Sequence, residues 1–446
     1  MKKLIQLSIA INILIFSVLL VLSSCKKYLD EPPNKGTVII SKLSDLQAIL
    51  DNPLMTSSYF SLATGSADEY YFTESTWDAK ASDQKDAYIW KSTTNIDGWS
   101  LPYQIVFQAN IVLSELEELE GSQSEKAKVK GQALFLRAFA FYHIAQIYSL
   151  PYSTEYLSTA GVALRTSPLI SVRSVRSTVA ETYEKIINDL KESASLLDSQ
   201  KEPLNRPNKI GAYGALARVY LSMRDYANAS KYAQLSLDLS TELIDFNQLD
   251  VNANPGISQY NEETSFYAYM EGFPYDEGIT DTTLYNSYDE SDLRKQVYFY
   301  DPGDGSRVFK GSYAGFYGNL TFCGIANDEI YLIRAECAAR ANDAAKAMEL
   351  VNLLLRKRWM AGTFAELATG TPEEALEIVL KERRKELVYR GTRWTDIRRF
   401  NLEGRNITLK RVLNGITYEL PANDNRIAWL IPNEVISLTG MEQNKR

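Results

Sequence analysis

Histidine is almost missing from this chain of 446 residues: there is one, His143, and there are three cysteines, Cys25, Cys323 and Cys337. A Ser-His-Asp or Cys-His nucleophile would have to be built on His143. That residue sits inside an amphipathic helical stretch, Gly131 to Tyr148, where a packed structural histidine is expected. Three cysteines are too few for a disulfide framework or a zinc set. Cys323 and Cys337 are then either buried free thiols or one bridge. No glycine-rich phosphate loop stands out. Asp250, Asn252 and Asn254 alternate like a calcium loop, but Gly256 comes one position late and position twelve is Asn261 rather than Glu. No metal, cofactor or catalytic residue is therefore expected. Paired carboxylates for glycosidic cleavage leave no sequence signature, because their separation of about 5–9 Å is a property of the fold. Basic charge is also in short supply: the net charge is −8, which disfavours nucleic acid, whose affinity comes mostly from cationic contacts.

Long apolar runs are confined to the N-terminus. Lys2-Lys3 precede an apolar stretch from Leu4 to Leu22, broken by Gln6, Ser8, Asn12 and Ser17 and ending in small residues. This is the pattern of a secretory signal peptide. Its last four residues, Leu22-Ser23-Ser24-Cys25, resemble the bacterial lipobox, so residues 1–24 are expected to be removed and Cys25 to be lipid-modified. Acyl chains add about 0.8 kcal/mol per buried methylene, and several together hold a protein stably on a bilayer. Losing Lys2 and Lys3 takes the net charge from −8 to −10. The stretch Lys26 to Gly36 reads as a polar tether, and nothing after Cys25 is long and apolar enough to span a bilayer.

Residues 25–446 read as a single, mainly α domain. Leu43 to Leu50 forms a short helix, and from Trp99 onward apolar residues recur at three and four. A second helix is expected from about Glu125 to Tyr148 with an apolar face wide enough for burial, a third over Thr178 to Leu197, and a hairpin over Lys209 to Ser240. In that hairpin Ala217, Tyr220, Asp225, Ala229 and Ala233 sit where a tetratricopeptide repeat alternates large and small residues. A shift of 118 residues returns the pattern at Ala335, Ala338, Asp343, Ala347 and Val351. Helical repeats are thus expected over about 99–245 and 326–400, stacking into one tetratricopeptide-like scaffold. The last helix opens with a capping box at Thr371-Pro372-Glu373-Glu374 and carries a charged run, with Glu386 and Arg390 four apart as a favourable pair. An arginine-rich run is usually solvated, but Trp394 and Ile397 interrupt this one, so some of its arginines are expected to pair with buried carboxylates or carbonyls.

Between the repeats, about 247–323 forms an irregular insertion crowded with tyrosine and phenylalanine, suited to short strands and loops. Insertions of this length are uncommon unless functional. Tyrosine offers a flat apolar face with a hydroxyl at its edge, which suits sugar rings and also peptides. On this chemistry the candidate ligand contacts are Asp68, Tyr70, Trp77, Trp90 and Asn95 from the loops of 65–98, and Tyr275, Tyr285, Tyr288, Tyr313 and Tyr317 from the insertion. Trp99, Tyr103 and Trp394 read as structural.

Several stretches together resemble one family: CKKYLDEPP at Cys25 to Pro33, SADEYY near Ser66, Trp99 with Tyr103, Ile105, Ala109 and Asn110, LRAFAFYHIAQIYSLPY at Leu136 to Tyr152, ERRKELVYRGTRWTDIRRF at Glu382 to Phe400, and WLIPNEVISLTGMEQN at Trp429 to Asn444. The chain resembles the SusD/RagB family of outer-membrane lipoproteins. The glycine usual before the proline of the second-helix motif is replaced by Ser149-Leu150. The resemblance implies a lipid-anchored, surface-facing outer-membrane protein that binds oligosaccharides or sometimes peptides. It would deliver them, without catalysis, to a SusC-like TonB-dependent barrel. Against this stand a tetratricopeptide-type protein-interaction scaffold and a glycoside-cleaving lipoprotein.

Overall fold

The computed structural model describes Met1 and residues 40–446, apart from 202, 272–276, 312 and 317–319. The expected signal peptide, Cys25 and the tether, together with Tyr275 and Tyr317, lie outside the described residues. Helices dominate, and the long ones are α1 (Leu43–Leu50), α2 (Ser100–Glu115), α3 (Gln123–Tyr148), α4 (Val179–Leu196), α5 (Lys209–Ser222), α6 (Tyr226–Leu237), α7 (Asn327–Arg340), α8 (Ala344–Leu355), α9 (Pro372–Glu386) and α10 (Thr392–Leu402). Among the described residues no helix is long and apolar enough to cross a membrane.

Local chemistry fixes where these helices begin. Ser122 with Glu125 starts α3 and Thr178 with Glu181 starts α4, each a reciprocal capping box that satisfies orphan N–H groups at the helix start. Proline stands at the start of α9, and Thr371 Oγ1 accepts from the Glu374 N–H at 3.2 Å. The expected box is half-formed there, because the Glu374 carboxylate is taken by Thr369.

From α2 to α8 each helix packs on the next in chain order, and α9 then covers α7 and α8. The scaffold continues across the insertion, because α7 lies directly on α6. The 118-residue echo is physical. Arg224 and Asn342 turn the two hairpins with φ of 63° at both. The next residues, Asp225 and Asp343, cap α6 and α8 by accepting from Asn228 and Lys346 N–H at 3.1 and 2.9 Å.

The insertion is mostly short strands and loops, as its composition suggested, with two short helices at Thr282–Asn286 and Arg294–Val297. A parallel pair joins β1 (Tyr59–Phe60) to β4 (Tyr269–Glu271), and β6 (Thr321–Phe322) pairs antiparallel with the other edge of β4. β2 (Tyr70–Tyr71) pairs with β5 (Ile279–Thr280), and β3 (Thr264–Phe266) pairs with β7 (Ile325–Ala326). Cys323 and Cys337 are free, buried thiols, each pushed up to about 12 by burial.

The charged motif of α9 and α10 is buried. Arg294 bonds Asp292, Glu382 and Glu386 at 2.6, 2.6 and 2.9 Å, and Arg358 bonds Glu386 and Glu263 at 2.7 Å each. Arg218 holds Glu329, Arg383 holds Asp396 at 2.9 Å, and Arg399 holds Glu336. The expected Glu386–Arg390 pair does not form. α9 ends at Glu386, so the two residues are no longer one turn apart on a helix, and Arg390 bonds Asp328 instead. Trp394 Nε1 donates to the Gln146 carbonyl at 3.2 Å, and Arg398 donates to the carbonyls of Gln146 and Ser149. The arginine motif thereby caps the C-terminus of α3, where cations are favoured.

Candidate ligand-binding site

Tyr267 anchors the exposed aromatic surface of the insertion. It is buried, and its hydroxyl donates to the Ala314 carbonyl at 2.8 Å. Tyr260 lies with its ring centroid 4.6 Å from that of Tyr267, Tyr269 lies 6.0 Å from it, and Phe316 lies 6.0 Å beyond, against Tyr269. Tyr260 is 48% exposed and Phe316 39%, while Tyr269 is half-buried. The turn carrying Phe316 sits on the backbone beside Tyr260: a Cβ on Gly315, where φ is +73°, would lie 2.5 Å from the Gln259 nitrogen. Only glycine fits there. The Tyr260 hydroxyl is raised above its ordinary value by partial burial and then by the neighbouring Tyr269, so it stays a neutral donor and acceptor. The arrangement is a shallow ledge of three rings at unequal angles with hydroxyls at the rims, a surface for C–H faces and hydroxyl edges of a flat, polar ligand.

Two further aromatic side chains, Tyr71 and Trp77, lie outside the ledge. Tyr71, 38% exposed, pairs through its backbone with Ile279 of β5. Trp77 is half-buried with the Lys85 ammonium 5.1 Å from its ring centre, and Lys80 pairs with Glu277 at 2.5 Å.

Four of the rings expected to contact ligand are core residues instead. Tyr70 donates its hydroxyl to the Gly65 carbonyl at 2.8 Å, Trp90 donates to the Ser66 carbonyl at 3.0 Å, Tyr288 donates to the Lys385 carbonyl at 2.7 Å, and Tyr313 bonds Glu263. Each is buried, so no ring face is available. Tyr285 is half-buried, with Lys295 and Arg307 over its ring at 5.0 and 5.1 Å. Asp68 is clamped by Arg393 at 2.7 and 2.8 Å, which holds its carboxyl far below the usual range despite burial. Asn95 ties down the C-terminal segment, donating to the Ile431 carbonyl and accepting from Asn433 N–H. Of the described candidates, Trp77 keeps the most ligand-like setting. Trp99, Tyr103 and Trp394 are structural as expected, Trp99 stacking on Tyr103 at 4.6 Å. The tyrosine-rich run offers no period, so its pattern does not distinguish the ledge residues from their buried neighbours. A usable signal was local: Tyr260 stands between Gln259 and Asn261, and Phe316 follows a glycine.

A family model described as "Starch-binding associating with outer membrane" matches residues 27–221, and one described as "SusD family" matches residues 328–438. The chain belongs to the SusD/RagB family. Its SusD-like sequence is 24% identical over 370 residues to SusD-like protein P2 of Formosa agariphila, covering 68% of this chain and 71% of that one. Among solved structures, a SusD superfamily protein of Bacteroides vulgatus superposes with a TM-score of 0.74 at 20% identity, covering 91% of this chain and 99% of that one. One from Bacteroides thetaiotaomicron gives 0.72 at 21%, covering 91% and 100%. A laminarin-binding SusD-like protein gives 0.64 at 17%, covering 91% and 99%. These likenesses establish the SusD fold, and the family is one of carbohydrate-binding, outer-membrane-associated proteins.

Proposed function

We propose that this SusD-like chain is a surface lipoprotein, anchored through Cys25, that captures an oligosaccharide on the ledge of Tyr260, Tyr269 and Phe316. Tyr71 and Trp77 extend the contact, and the ligand passes without chemical change to a SusC-like TonB-dependent barrel. The observation that carries the reading is the ledge itself: rings held open to solvent by a buried tyrosine and a glycine-dependent turn. Single exposed rings are unremarkable on a protein surface, but a grouped set with polar rims marks a binding surface. That a SusD-like protein of the same fold is described as laminarin-binding supports a glycan over other ligands.

Two measurements test this. In calorimetric titration with a panel of soluble glucans and other oligosaccharides, Tyr260→Ala and Phe316→Ala are expected to weaken binding about tenfold each, which is ~1.4 kcal/mol. Melting temperature should fall by no more than a few degrees, since each ring is more than a third exposed. Glycan affinity that survives loss of both rings would overturn the ledge assignment. Affinity purification from gently solubilised outer membrane is expected to recover a large TonB-dependent barrel in near-equal amount. Recovery of the protein without one would overturn the delivery step and favour a scaffold.

A further inference from the structure

A cavity of about 30 Å³ lies where α10 starts, against the last turns of α3 and the end of α5. It is separate from the aromatic ledge, and its wall carries donors that have nothing to bond among the described residues. Arg383 uses Nε on Asp396, but its Nη1 is buried without a partner. Arg390 uses Nη1 on Asp328, and its Nη2 is likewise buried and unpartnered. These side chains are 3% and 4% exposed. His143 Nε2 is a third buried atom without a partner, and burial depresses the imidazole to about 3, so the ring is neutral. Between Gly131 and Tyr148 every other residue is buried, whereas His143 retains accessible surface and lines the cavity. The first turn of α10 completes the wall through Gly391, Thr392 and Thr395. Its N-cap is Gly391, at φ +72° and with no side chain to cap the helix, so the positive end of the helix dipole is left to the cavity.

Orphaned buried donors of this kind call for an acceptor. Water supplies two lone pairs but also brings two hydrogens that need acceptors, and the strongest acceptors in the wall, the Gln146 amide oxygen and the Asp396 carboxylate, are engaged. Gln146 Oε1 accepts from Thr395 and Arg398, and both Asp396 oxygens are held by arginines. Charge points the same way. Arg218, Arg383, Arg390 and Arg399 in the wall are matched by Asp328, Glu329, Glu336 and Asp396, while Arg398, behind Gln146, bonds among the described residues to Gln146 and the Ser149 carbonyl and to no carboxylate. A halide accepts from every direction, donates nothing, and fits a space that exceeds the roughly 10–15 Å³ a single water needs. We propose that this cavity binds one small monovalent inorganic anion of halide size, held by Arg383, Arg390, His143 and the open N-terminus of α10. The site would lock the arginine motif onto α3.

The full chain is melted in sodium gluconate, chloride or bromide at equal ionic strength and pH, which holds long-range screening constant. Chloride and bromide are expected to raise the melting temperature by about 2–4 °C in a saturating manner, and gluconate, too large for the cavity, not at all. Ala63 lines the same cavity. Ala63→Leu fills the space without removing a charge and should abolish the halide effect. Crystals grown in bromide should show an anomalous peak between the Arg383 and Arg390 guanidiniums in the unaltered protein, a result that does not depend on the variant folding. Equal melting in halide and gluconate, or density for water alone at that position, would overturn the proposal.

Discussion

Glu69 is buried beside Asp68, with one carboxylate oxygen accepting Tyr389 N–H at 2.8 Å and the other without a partner among the described residues. Burial, reinforced by the Asp68 charge, pushes it up to about 8 from the ordinary 4.5. The folded chain therefore keeps this proton where the unfolded chain has lost it. The group's contribution to stability is complete below about pH 4.5 and is lost as pH rises through 8. Glu69→Gln, which keeps the acceptor and removes the titration, should flatten stability over that window and raise the melting temperature more at pH 8.5 than at pH 5. Equal shifts at both values would refute the assignment. Arg358 is the opposite case, a charge that works because it is matched. Arg358→Ala leaves Glu263 in the core without a cation and Glu386 with Arg294 alone, and should cost about 3–5 kcal/mol in denaturant unfolding. At this scale the sequence was half legible. Trp394 and Ile397, set among the arginines, announced buried partners, but nothing local named them: Arg294 lies 92 residues from Glu386 in the chain.

At the scale of elements, small residues and caps were readable because a helix records its environment every three or four positions. The 118-residue echo reached as far as the turn, where Arg224 and Asn342 share a left-handed conformation. Asparagine tolerates that conformation and arginine does not. Arg224→Asn should therefore stabilise the α5–α6 hairpin by about 0.5–1 kcal/mol, measured by chemical denaturation, while Asn342→Arg does the reverse. The ledge was not legible in this way. Its rings come from a loop, a strand end and a turn, brought together by contacts such as that of Gly315 with the Gln259 backbone. Gly315→Ala, combining positive φ with a contact at 2.5 Å, should cost about 1–3 kcal/mol. It should also weaken glycan binding as much as removing a ring. Full affinity in that variant would show that the turn does not position Phe316.

For the whole molecule, the question is whether the aromatic insertion melts as part of the scaffold or as a separate lobe. The two family models leave residues 222–327 between them, whereas the sequence reads as a single domain over 25–446. The contacts argue for one cooperative body. β1, from the N-terminal part, pairs with β4 of the insertion. Tyr288 donates to the Lys385 carbonyl, and Arg294 bonds Glu382 and Glu386 of α9. Arg358, just past α8, holds the Ile244 carbonyl and Glu263 on one side and Glu386 on the other. If the insertion opened alone, Glu382 and Glu386 would lose Arg294 while still inside the scaffold, a cost of several kcal/mol that ties its unfolding to the rest. Scanning calorimetry of the chain from residue 40 is therefore expected to show a single transition with equal calorimetric and van't Hoff enthalpies. Arg358→Ala should move that whole transition downward without splitting it. A separate low-temperature peak, with loss of tyrosine near-ultraviolet dichroism while helical dichroism persists, would show instead that the aromatic insertion folds as its own unit.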